Sequence, residues 1–164
     1  MDLSIFENFS NKCSKNLPNA IDEILKANKE KKVCAIGFIT VDDFYGFYLS
    51  YDYMKNNLDE FYDWEDGLEP AFLYQPLVDV VESCEIDFCT KSDEKWDFAE
   101  TLLTVLEKNI KQIPNEIFVK NNYRREDILF FATMADGDYI EEMLNTSIKM
   151  FNTLETIEAY GHTQ

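Results

Sequence analysis

Histidine is almost missing from the chain: of 164 residues only His162 is one. That scarcity removes most routes to imidazole acid–base catalysis and to histidine-ligated metal. Cysteine is sparse too. Cys13, Cys34, Cys84 and Cys89 form no Cys-x-x-Cys pair, and Cys84 and Cys89 lack the spacing and the histidine partners of a zinc site. All four are expected as free thiols, with Cys34 a small buried hydrophobe. No apolar run approaches the roughly 18 residues of a membrane span. A Gly-x-Ser-x-Gly elbow, a glycine-rich phosphate loop and a His-Glu-x-x-His helix are all absent. The first residues, MDLSIFENFSNK, carry no basic start followed by an apolar stretch, so no secretory signal is expected and the expected location is cytoplasmic. The chain is therefore expected not to be an enzyme, and to need no cofactor and no metal.

Positive charge is the other shortage. Against 32 acidic residues stand 15 basic ones, a formal net charge of -17. Such a field repels nucleic acid and anionic membranes, so neither is an expected partner. It attracts a basic protein and speeds the encounter, or it does no more than keep the chain in solution. What is present in quantity is apolar: 46% hydrophobic and 15% aromatic residues. This excludes disorder and supplies one core, so a single domain across residues 1–164 is expected.

The organising stretch is 33–52. Val33, Ala35, Gly37, Ile39 and Val41 alternate with Cys34, Ile36, Phe38 and Thr40. Both sets are apolar or small, as in a central strand buried on both faces. Asp42-Asp43 supplies turn chemistry. The return strand, from Phe44 to Tyr53, sets Tyr45, Phe47, Leu49 and Tyr51 on one face and Gly46, Tyr48, Ser50 and Asp52 on the other. A second strand candidate is the short apolar run 128–134, ILFFATM. The spacing predicts a helix over 3–29, kinked or split at Pro18. It predicts a second from about Tyr74 and a third capped by Ser92 or Asp93. The third carries the stripe Trp96, Ala99, Leu103, Leu106, Ile110 and Ile113 until Pro114 stops it. A helical turn over 115–120 follows. The last main helix starts at Asp138, with Glu141 three residues on as a capping box, and ends at Asn152. The expected fold is α+β: a small antiparallel sheet built on the hairpin 33–52 and joined by 128–134, covered by helices. No internal repeat or linker is visible.

Candidate site residues concentrate in one segment. Asp59, Glu60, Tyr62, Trp64, Glu65 and Asp66 put large aromatics inside a dense negative run. Aromatics supply buried anchors at interfaces and acids steer a basic partner; equally, Phe61 and Trp64 can pack into the core under solvent-facing acids. Paired acids elsewhere have bland explanations. Asp42 and Asp43 serve a turn, and Asp138 serves a helix cap, although Asp136-Gly137-Asp138 also offers oxygens to a divalent cation. Glu65 and Asp66 beside Trp64 have the composition of a carbohydrate site.

The sequence CAIGFITVDDFYGFYLSYD after an N-terminal helix, the acidic aromatic segment around Trp64, and the late stretch ILFFATMADGDYIEEMLNTSIKMFN together resemble the bacterial domain-of-unknown-function family numbered forty-three-oh-three. The resemblance spans most of the chain. It is most specific near the end, where Ser147, Lys149 and Asn152 match a serine, a lysine and an asparagine of the family. The family pattern has two tryptophans close together in its middle, where this chain has only Trp64, so no shared pocket carries over. The family has no established activity. Relatives thought to sit near polymorphic-toxin genes imply an immunity role.

Two functions of different kinds follow. One is an acidic cytoplasmic binding protein of immunity type, occluding a basic partner such as a toxin. The other is a small-ligand or enzymatic domain whose Asp136, Asp138, Glu65 and Asp66 meet in a cleft. A housekeeping domain without catalysis is the plain alternative to both.

Overall fold

Two strands that are buried at every position fix the centre of the molecule. They are β1 (Ala35–Thr40) and β4 (Leu129–Met134). The structure is a computed structural model and describes residues 1–55 and 58–161; His162 lies outside the described residues. With β2 (Tyr48–Asp52) and β3 (Asp66–Leu68) the two strands form one sheet in the order β3-β2-β1-β4. β1 pairs antiparallel with β2, Gly37 opposite Ser50. β1 pairs parallel with β4, Ala35 beside Leu129 and Thr40 beside Met134. The α+β class is as expected, but the sheet is mixed rather than antiparallel. The reason is the route of the chain. Between β2 and β4 it crosses the sheet through α2 (Gln75–Ser83), α3 (Asp93–Lys111) and α4 (Asn115–Lys120), a connection long enough to bring β4 back in the direction of β1.

One face of the sheet carries Ile36, Phe38, Leu49, Tyr51, Phe130 and Ala132 into the larger core. α1 (Glu7–Lys26) closes that face with Phe9, Cys13, Leu17, Ile21 and Ile24, all at helical spacing. Pro18 neither splits nor ends α1, which runs through it. The apolar stripe on both sides of Pro18 holds the two halves on the same core. α3 starts as expected, its Lys95 N–H donating to the Ser92 side chain, and α2 has Pro76 in its first turn.

The hairpin is looser than a two-residue turn. Phe44 N–H donates to Val41 O, closing a turn over Asp42-Asp43, but β2 begins only at Tyr48. Phe44 takes a φ of 58° and is fully buried against Phe88 and Phe98. Burying that ring draws residues 44–47 out of the strand path.

α5 (Ile140–Phe151) lies along the free edge of β4, and α6 (Leu154–Tyr160) follows. Two α5-side residues take the place of a fifth strand. Asn152 accepts from Phe130 N–H at 2.8 Å and donates to Phe130 O at 2.6 Å. Ser147 accepts from Ala132 N–H at 2.8 Å, and its single proton has Ala132 O and Leu144 O, both at 3.0 Å, within reach. An edge that would template pairing with another chain is thereby satisfied from within. Lys149, the third residue of the family-like triplet, is exposed.

Candidate functional site: an acidic face and a buried lysine

The second face of the sheet is closed by the acidic aromatic segment together with α5 and α6, whose Ile148, Ile157 and Tyr160 share its core. Residues Leu58–Asp63 form 3-10 turns leading to β3. Leu58 and Phe61 are buried in the smaller core with Ala35, Ile39, Leu129 and Phe131. Trp64 is half-buried with its ring edge-on to Phe131, centroids 5.6 Å apart, and Phe61 meets the same ring at 6.4 Å. Gly37 makes this possible: a Cβ there would stand 2.5 Å from Phe131 Cζ, so only the bare backbone lets the Phe131 ring lie across β1.

The outer side of the segment is different. Asp59, Glu60, Tyr62, Asp63, Glu65 and Asp66 are exposed, with Tyr62 at 60% and its ring supported by Phe61 at 4.2 Å. Among the described residues no ion pair uses an acid of this segment. Burial first, and then the nearby Asp66 carboxylate, push the Tyr53 hydroxyl up to about 12. Of the six residues singled out in the sequence, Asp59, Glu60, Tyr62, Glu65 and Asp66 are exposed, but Asp66 pairs with Tyr51 and so lies on the α1 side of the sheet, across from the segment that carries Asp59, Glu60 and Tyr62. The sixth, Trp64, belongs chiefly to the packing beneath that segment.

The four acids expected to meet in a cleft do not. Asp66 pairs with Tyr51, which pairs with Ile36, whereas Asp136 and Asp138 follow Met134, the partner of Thr40. Four residues along the strands is about 13 Å, and three strand spacings across the sheet add about 14 Å. Among the described residues no group of three His, Cys, Asp or Glu side chains converges as metal ligands would.

Asp42 and Asp138 instead meet a residue that sequence reasoning passed over. The Lys95 side chain is completely buried, with Nζ 2.6 Å from Asp42 Oδ1 and 3.3 Å from Asp138 Oδ2 and 5.9 Å from the centre of the Tyr139 ring. Asp42 Oδ1 also accepts from Asp138 N–H at 3.1 Å, and Asp136 Oδ1 accepts from Asp42 N–H at 3.3 Å. Gly137, at φ 112°, is needed here because a Cβ would run into the Asp42 carboxylate. Asp138 is thus no helix cap: α5 begins at Ile140 behind Tyr139, without a side-chain cap. Burial pulls the Lys95 ammonium towards the neutral form, but the hydrogen bonds and charges of Asp42 and Asp138 outweigh it and hold its pKa above the ordinary value. A protonated lysine between two carboxylates is a poor nucleophile or base. What the group does is tie the loops that leave β1 and β4 to the start of α3. A signal was available in the sequence: Lys95 lies three, four and seven residues before Phe98, Ala99 and Leu102, on the buried face of α3.

Comparison of the chain with protein-family models, with curated proteins and with solved structures gives no match.

Proposed function

We propose that the chain is a cytoplasmic acidic binding protein of immunity type, which occludes a basic protein partner, such as a toxin, on the side that carries Asp59, Glu60, Tyr62 and Glu65, and performs no chemistry of its own. One observation carries the proposal. The apolar half of the segment is spent on closing the sheet, and its acids are left facing solvent around an exposed tyrosine with no cation among the described residues to neutralise them. Uncompensated acids over a rigid support focus a negative field that accelerates association with a basic surface, and a supported tyrosine is a frequent anchor at the centre of an interface. The resemblance drawn from the sequence points the same way. The test is calorimetric titration against the purified product of the adjacent gene. Binding is expected to weaken by about tenfold or more when Asp59, Glu60 and Glu65 are all changed to lysine, chiefly through a slower on-rate and a lost salt dependence. Binding unaffected by the triple change, or no binding at all, refutes the proposal.

A further inference from the structure

The C-terminal end of β1 and the start of β2 form one wall of a groove of about 400 Å³, and the connection after β3 forms the other. Three of the molecule's exposed large apolar side chains converge on it: Val41 at 39%, Tyr45 at 41% and Tyr74 at 54% exposure. Ile39 and Pro70 lie among them. Among the described residues the only charged one in the lining is Glu69, which directly follows β3. No lysine or arginine among the described residues lines it.

The walls are fixed to each other. Phe47 N–H donates to Leu73 O at 2.9 Å, and the Thr40 hydroxyl donates to Gly46 O at 2.7 Å. Gly46, at φ 101°, has no Cβ; one built there would stand 2.7 Å from Tyr74 Cδ2, so the Tyr74 ring packs directly on the loop backbone. A groove held open by main-chain bonds needs little ordering before it binds, which is the cost that most weakens association. Its volume is at the small end of the range for ligand pockets, roughly 300–1,000 Å³, enough for one large side chain and the backbone that carries it.

Resting on the acidic-face proposal above, we propose that this groove is the anchor site of the basic partner: it takes one aromatic or aliphatic side chain of a partner segment whose neighbouring residues are lysine or arginine. The apolar walls receive the side chain. Glu69, with Glu65 just before β3, faces the flanking cations. An apolar side chain between acids is excluded by the same charges.

Three capped pentapeptides test this by heteronuclear NMR titration of the intact chain: Lys-Lys-Phe-Lys-Lys, Lys-Lys-Gly-Lys-Lys and Glu-Glu-Phe-Glu-Glu. The first is expected to shift the amides of Gly46, Tyr48 and Ala71 and to bind about tenfold or more tightly than the second, the effect of burying one phenyl group. The third is expected not to bind. Tyr74→Ala, at an exposed position, is expected to abolish the preference for phenylalanine while the melting temperature holds, and Glu69→Lys to weaken the first peptide with the groove intact. If both lysine peptides bind equally and shift only residues 59–66, the groove is not the anchor although the acidic face stands. If the glutamate peptide enters the groove as well as the lysine one, the partner segment is not basic and the inference falls. If neither lysine peptide shifts any amide, the groove and the acidic face both fall.

Discussion

Lys95→Met is the most informative single change. It keeps the length and apolar stem of the side chain and removes only the ammonium. Two charge-assisted hydrogen bonds disappear, at 2.6 and 3.3 Å, each worth about 1.5–3 kcal/mol. Breaking one member of a buried ion pair costs about 3–5 kcal/mol when the remaining charge is trapped. Here the remaining charges are not fully trapped, because the Asp42 and Asp138 side chains are 33% and 34% exposed and can hydrate. Asp42 also keeps the Asp138 N–H as a donor. The loss therefore falls at the low end, about 3 kcal/mol. For a chain of this size that is a fall of about 6–12 °C in melting temperature. Urea denaturation should show a lower midpoint with an unchanged slope. Asp42→Asn should cost more than Asp138→Asn, since it weakens the shorter bond to an ammonium that stays buried. A loss under about 1 kcal/mol for Lys95→Met, or the reverse order for the two asparagine variants, would refute this account of the triad. The pH dependence has a definite sign. The pKa of Lys95 is raised in the fold, so its contribution is complete below the unfolded lysine value near 10.4 and is lost as pH rises through the folded one.

Three further outcomes are expected. Trp64→Ala should cost about 2 kcal/mol, less than the 3–5 of a fully buried aromatic because the ring is half-buried on Phe131; an unchanged urea midpoint would remove Trp64 from the core. Burial pushes Cys13 up to about 12, and burial with the Asp52 charge pushes Cys34 up to about 11, so a thiol reagent on native protein should label exposed Cys89 first and leave Cys13 and Cys34 until unfolding. Equally fast labelling of all four contradicts that burial. Against an opposing effect of burial, hydrogen bonds from Lys26, Asn121 and Lys120 hold Asp22 at about 2. Its stabilisation, about 1 kcal/mol after allowance for solvent screening, is present above the unfolded value near 3.9 and lost as pH falls through the folded one; Asp22→Asn should flatten that acid limb, and an unaltered limb rules the cluster out.

Much of the fold could be read from local pattern. β1 and the start of α3 follow from alternation, helical spacing and a serine cap, all properties of neighbouring residues. The direction of β4 is not such a property: which way a distant strand runs beside β1 depends on the connection between them. The near-continuous apolar character of β1 and β4, broken only by Thr40 and Thr133, is nonetheless what parallel strands require. The roles of Asp42 and Asp138 were hidden because each had a sufficient local use, in a turn and at a cap. Only the fold shows that both are aimed at Lys95. In the acidic segment composition marks the exposed acids, but it does not say that Gly37 clears the space in which Phe131 carries Phe61 and Trp64.

The two edges of the sheet bear on the role proposed for the acids. β4 is closed by Asn152 and Ser147 and needs no charge to prevent pairing with another chain. β3, at the other edge, is three residues long, carries Asp66, and is bracketed by Glu65 and Glu69. A short strand guarded by like charges is a common way to keep an edge from aggregating, and it accounts for these three acids without any partner. It does not account for Asp59, Glu60 and Asp63, which stand outside the strand. Nor does it account for Tyr62, exposed where a polar residue would protect better, or for a groove whose apolar walls are bonded open beside Glu69. Edge protection calls for charge alone. Charge combined with exposed rings and a preformed apolar recess is the combination that recognition requires, and the surplus of that combination over what β3 needs is the physical support for the proposal that a basic partner binds there.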